Sequence, residues 1–374
     1  MNCMARLAFI PLFLLLGACE QALRAPTIHA ENQPPERLSE WGIVRADKQR
    51  LLLSEGVVPY SLNMPLFSDY ALKLRTLWMP GDSAANFREQ GVFEFPVGTI
   101  ISKTFHYEKA ADWHERNFKV IRTGLEPVPG AEAGLDLDTH MLLETRLLIR
   151  YETGWRALPY VWNAEQSDAF LALAGDEISV HMAGAQSDTH FTYIVPDANQ
   201  CGGCHVTEHD SKAIRPIGPK AWQLDRPYAW WADETTQLAH WAQTGRLEGL
   251  SDPDFARPQR NARSLAENAR AYLDANCAHC HNPEGAADTS ALHLNLEAPL
   301  DRKFGICKTP VAVGRGSGDR PYDIYPGRPE ESILVFRMQH ADPAIAMPEL
   351  GRGTVHSEGV SLISNWIASL DGEC

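Results

Sequence analysis

Two pentapeptides constrain this chain more than anything else in it: Cys201-Gly202-Gly203-Cys204-His205 and Cys277-Ala278-His279-Cys280-His281. Both follow the pattern C-x-x-C-H. Two thiols at that spacing can add to the vinyl groups of one porphyrin, and the adjoining histidine can then lie under the iron. The pattern predicts two covalently attached haem c groups. Cys201, Cys204 and axial His205 would hold the first, and Cys277, Cys280 and axial His281 the second. Three other uses compete. Zinc sites built on C-x-x-C need no histidine directly after each pair. A thioredoxin-like pair would stand in a βαβ pattern, which the surroundings lack, and structural disulfides are the third.

The second axial ligand sets the potential of a haem and its chemistry. For the second haem the downstream candidates are His293, Met338, His340, Met347 and His356. Met347 is preferred, because Pro348 stiffens the loop that must hold sulfur against iron. For the first haem there is no methionine between His205 and the second motif. His240, in a helical stretch, leads. His181, Met182, Lys220 and an iron without a second protein ligand stay open, whereas His209 is too near His205 to reach the opposite face. His279 is expected at the surface.

The N-terminus reads as an export signal. Arg6 is followed by an apolar run, Leu7 to Leu16, shorter than the ~20 residues a spanning helix needs. Leu16-Gly17-Ala18-Cys19 resembles a lipobox, which makes Cys19 the expected lipidated residue and residues 1–18 the signal peptide. Glu20 after it favours the outer membrane. Of the remaining cysteines, Cys307 and Cys374 could pair in an oxidising compartment, though sequence alone leaves this open. The formal net charge of −14 argues against nucleic acid as a partner.

The rest of the chain divides by texture. Residues 19–37 look like a tether carrying the lipid anchor. Residues 38–196 read as a β-rich domain, sandwich- or barrel-like: Phe93, Phe95 and Val97 alternate, Thr99 to Tyr107 is β-branched and aromatic, and Leu142 to Tyr151 and Trp155 to Trp162 flank a hairpin signal at Gly154. Residues 197–255 are expected to form a first haem module. After a linker, residues 260–374 are expected to form a cytochrome c domain with the second haem, bounded by helices over Ser264 to Asn276 and Gly359 to Leu370. The expected fold class is therefore multidomain: a β-rich N-terminal domain followed by two mainly α cytochrome modules.

Several blocks carry a resemblance. They are Val58-Pro59-Tyr60-Ser61-Leu62-Asn63, Leu66-Phe67-Ser68-Asp69-Tyr70-Ala71, Glu144-Thr145-Arg146-Leu147-Leu148, Gly154-Trp155 and Tyr160-Val161-Trp162-Asn163, then Pro216-Ile217-Gly218-Pro219-Lys220, Tyr325-Pro326-Gly327-Arg328-Pro329-Glu330 and Met347-Pro348. With the two motifs, the chain from Leu38 to Leu370 resembles a group of bacterial diheme c-type cytochrome lipoproteins, often encoded beside a parallel β-helix repeat protein. The resemblance implies electron transfer at the periplasmic side of the cell envelope, as carrier or as cytochrome subunit of an oxidoreductase. Expected partners are redox proteins of the envelope, among them a β-helix repeat protein, and the membrane through the anchor. A peroxidase-like diheme enzyme, using an open first haem, is the alternative.

Overall fold

The computed structural model describes residues 24–114, 118–124, 134–184, 188–226, 235–250, 263–311 and 314–374. The signal segment and Cys19 lie outside them, as do Trp230, Trp231 and most of the expected linker.

Most of the regular structure is β. A small sheet joins β1 (Val44–Ala46), β2 (Arg50–Leu53) and β8 (Leu135–Asp136). The main sheet is a nine-stranded half-barrel. Its centre is β4 (Leu72–Trp78), β6 (Ile100–Lys109), β9 (His140–Tyr151) and β10 (Gly154–Trp162), all antiparallel neighbours. β3 (Val58–Tyr60) flanks β4, and β11 (Ala169–Leu171) flanks β10. Beyond the end of β6 the sheet continues through β7 (Lys119–Ile121), β12 (Asp176–Ala183) and β13 (Thr189–Val195), with β7 and β12 parallel. The hairpin signal has a plain cause: Tyr151 pairs with Gly154 across a two-residue turn, and Gly154 takes a φ of 143° that other residues resist.

The central strands are covered on both faces, so β9 is buried nearly end to end. On one face Leu74, Ile100, Leu147 and Ile149 pack with Trp41 and Tyr160. On the other, Leu77, Ile101 and Leu148 pack with side chains from beyond residue 197. The segment read as a tether is fixed to the sheet from Thr27 on. Thr27 donates its amide to Trp41, and the Pro35 carbonyl accepts the Tyr160 hydroxyl at 2.9 Å.

Two mainly α modules do not follow the β-rich part. Residues 197–255 contain only α1 (Gln200–His205), α2 (Ala221–Leu224) and α3 (Gln237–Gln243) among the described residues. They also add a strand, β14 (Leu247–Glu248), parallel to β5 (Ala85–Asn86). Helices of one or two turns cannot bury a face by themselves. Ala221, Leu224, Leu238 and Trp241 therefore join the sheet's own core. The C-terminal segment has α4 (Leu265–Asn276), α5 (Ile333–Met338) and α6 (Ser357–Ala368), joined mainly by turns and loops. No helix among the described residues exceeds 12 residues, and none is long and apolar enough to cross a membrane. The capping box Ser264/Glu267 starts α4, and Ala269, Leu273, Ile363 and Trp366 pack α4 on α6. Cys307 and Cys374 form a disulfide that ties the C-terminus back onto this segment.

Candidate haem attachment sites

The first motif is α1 itself, and the second is the turn that ends α4, with Cys277 at the helix C-cap. All four thiols are free. Burial pushes each of them up, Cys277 and Cys280 to about 12, so the folded chain keeps them as neutral thiols.

Each following histidine is poised in the same way. His205 Nδ1 is 2.8 Å from the Arg215 carbonyl, which can only accept, so Nδ1 carries the proton. His281 Nδ1 is 3.0 Å from Ser290 Oγ. That hydroxyl donates its own proton to the Ala287 carbonyl at 2.6 Å, and so it accepts from His281. Burial, reinforced by Lys103, drives His205 down to about 3. Burial, with Arg337 and Lys308, drives His281 down to about 4. Both rings are thus neutral, with the Nε2 lone pair left for a metal, the arrangement that orients imidazole ligands.

The two motifs touch. The Cys280 thiol lies 3.3 Å from the Gly203 carbonyl, and His209 donates its amide to the Glu284 carbonyl at 2.6 Å. A Cβ at Gly203 would meet only the end of the exposed Leu350 side chain, at 2.6 Å. A cavity of about 1000 Å³ opens beside the first motif. Cys201, Cys204 and His205 line it on one side, the sheet residues Lys103 and Arg146 on another, and Met347 and Leu350 on a third.

Met347 stands near the second motif through shared neighbours. Its amide donates to the Arg337 carbonyl at 3.2 Å, and the Arg337 guanidinium acts on His281. Its carbonyl accepts Arg352 at 2.8 Å, and Arg352 acts on Cys277. Met338 and His356 also line the cavity, but Met338 belongs to the core behind α5, and His356 is occupied: it stacks on Phe67 at 4.3 Å and meets the Tyr272 hydroxyl at 3.1 Å. His340 Nδ1 bonds the Phe336 carbonyl at 2.6 Å. His293 is half-buried, with its amide bonded to the Lys303 carbonyl.

For the first motif the candidates scatter. His240 lies on α3, outside the residues that line the cavity. His181 pairs with Asp188 at 2.7 Å and stacks on His190, while Met182 is buried in the core against Val120. Lys220 lines the cavity but is held by both oxygens of Asp274 at 2.8 Å. His279, expected at the surface, instead lines the cavity with a buried Nδ1 that has no partner. Its position inside a motif gave no periodicity from which burial could be read.

The blocks that carry the resemblance turn out to be clamps. Ser61 and Gln237 exchange two hydrogen bonds, and Asn63 donates to the Trp222 carbonyl. Phe67 donates its amide to Asn276, next to Cys277. Asp69 accepts the amides of Gly353 and Thr354 and the Thr354 hydroxyl, and so holds the loop that follows Met347. Comparison of the chain with protein-family models found no match, and comparisons with curated proteins and with solved structures found none either.

Proposed function

We propose that this chain is an exported, lipid-anchored diheme c-type cytochrome that transfers electrons at the bacterial cell envelope, as a carrier or as the cytochrome subunit of an oxidoreductase. One observation carries the reading: two pairs of free thiols, each followed by a half-buried neutral histidine whose Nδ1 proton is engaged and whose Nε2 is free. The haem iron would supply one-electron redox chemistry. The residues do the rest. Cys201 and Cys204, and Cys277 and Cys280, fix position; His205 and His281 present Nε2; Met347 offers sulfur from a loop braced by Arg337 and Arg352. Direct contact between the motifs supports electron exchange between the two centres within one chain.

The deciding experiment is mass spectrometry of the mature chain, made where haem-attachment machinery is present, followed by a redox titration read by optical and spin-resonance spectra. The reading requires two porphyrin additions and two one-electron steps. A mass equal to that of the bare polypeptide rejects it. The cavity beside Cys201, with His240 outside it, favours a second reading in which the first iron keeps an open face for peroxide. A high-spin component that binds cyanide would select it over the carrier.

A further inference from the structure

The wall of the cavity opposite the first motif carries an unusual row of charge. Across β4, β6 and β9, Arg75 pairs directly with Lys103, and Lys103 with Arg146. Like charges directly opposed in a sheet destabilise it. Lys73 adds a fourth cation two residues from Arg75 on the same face, and all four line the cavity. Only Arg146 is neutralised: Glu144 grips it at 2.7 Å through Nε and again through a terminal nitrogen, and Tyr193 donates to the same carboxylate.

The other three have no carboxylate within ion-pair distance among the described residues, although Asp69 acts on Lys73 and Glu144 on Lys103 from further away. Among the described residues, Lys73, Arg75 and Lys103 form no ion pair. Lys73 donates to the Ala71 carbonyl at 3.0 Å, and Arg75, only 7% exposed, reaches the Lys73 carbonyl at 3.5 Å. Burial pulls Lys103 down to about 8, with Arg146 and Arg75 adding to it, and pulls Arg75 down to about 10. A buried cation such as Arg75, with half-buried Lys73 and Lys103 beside it, is expensive unless an anion meets it.

The row also has a direction. Cys201 and Cys204 are within electrostatic reach of Arg146 and Lys103. From β9 the row then runs across two strand spacings, roughly 9–10 Å, to Arg75 on β4. It ends at Tyr60, a buried hydroxyl opposite Arg75 that also lines the cavity. A porphyrin bonded through its vinyl edge presents its two propionates at the opposite edge, away from the cysteines.

Resting on the haem reading above, we propose that Lys73, Arg75 and Lys103 form a carboxylate site that takes the propionates of the porphyrin held by Cys201 and Cys204. The site makes the fold dependent on the porphyrin and raises the potential of the first haem, because cations beside a haem disfavour its more positive ferric form.

The test uses the full chain made with attachment machinery, as wild type, Arg75→Leu, Lys103→Met and the charge-keeping Arg75→Lys. Mass spectrometry first establishes the adduct at Cys201 and Cys204. In the loaded protein, Arg75→Leu and Lys103→Met each shift the first haem's oxidised-to-reduced ratio at fixed potential about tenfold toward oxidised, about 59 mV for one electron. The second haem stays put, and Arg75→Lys, which keeps the charge, leaves the first haem's ratio close to that of the wild type. In the full chain made without haem, Arg75→Leu raises resistance to urea, and added succinate does the same for the wild type but has no effect on the loaded protein. Unchanged potentials in adduct-bearing variants overturn the proposal. So does succinate stabilising the loaded protein as strongly as the haem-free one, which would assign the site to a free dicarboxylate. Absence of the adduct removes the haem reading itself, a different failure from unmoved potentials.

Discussion

Asp69→Ala is the sharpest test of how the N-terminal blocks serve the C-terminal site. The Asp69 carboxylate is buried and accepts three donors: the amides of Gly353 and Thr354, at 2.9 and 2.7 Å, and the Thr354 hydroxyl at 2.7 Å. Removing it leaves two backbone amides without their acceptor, at about 1–3 kcal/mol each when buried and less at exposed Gly353, where water can take its place. Asp69 also holds a left-handed backbone, φ 50°, which costs alanine about 1 kcal/mol more than aspartate or asparagine. Against this, burial raises the Asp69 carboxyl above its ordinary value, so deleting the charge returns part of the loss. The net expectation is about 2–3 kcal/mol. Asp69→Asn keeps one acceptor and tolerates the backbone, so about 1–2 kcal/mol is expected. Urea unfolding followed by tryptophan fluorescence reads both. Because Gly353 and Thr354 close the loop that begins at Met347, the proposed cytochrome should also show mixed ligation at its second haem in the alanine variant. Stability within about 0.5 kcal/mol of wild type, the scatter of ordinary surface changes, with unaltered spectra would refute the clamp.

If the proposed haem at Cys277 and Cys280 is ligated by Met347, Met347→Ala should turn it partly high-spin and lower its potential by on the order of 100 mV, since a lost thioether no longer favours ferrous iron; an unchanged titration curve would reassign that ligand. Replacing Cys307 and Cys374 by serine opens a loop of 67 residues, worth about 4 kcal/mol of unfolded-state entropy, and should lower the urea midpoint in a way that reductant mimics in the wild type. Asp225 should make stability fall as pH rises between about 4 and 6. Burial lifts its carboxyl to about 6 and one of its oxygens has no partner, so the folded chain keeps a proton that the unfolded chain releases near 3.8. Asp225→Asn should flatten that slope and add about 2 kcal/mol at pH 7, measured by urea melts across the pH range.

The positions on which the haem proposal rests are legible in the chain itself, because C-x-x-C-H is a local pattern: two thiols and an imidazole within a few residues could meet one porphyrin. The same holds for the hairpin at Gly154 and for α4, whose capping box and apolar spacing are written in consecutive residues. Strand β4 alternates over Leu72-Lys73-Leu74-Arg75 as a half-exposed strand does, yet its charged side chains line a cavity and every residue but Lys73 is buried, which the local pattern does not encode. The helical texture around residues 235–245 suggested an independent module, yet α3 is two turns long and takes its core from the sheet.

What the sequence alone determined is thus local: which thiols and imidazoles come together, and where short-range periodicity and caps start an element. Only tertiary structure decided that the two motifs touch, that His279 is turned inward, that Asp69 reaches the loop after Met347, and that Arg75, Lys103 and Arg146 form one row. Each of these joins residues far apart in the chain, and contacts of that kind are set by strand register and packing, which no window of neighbouring residues encodes.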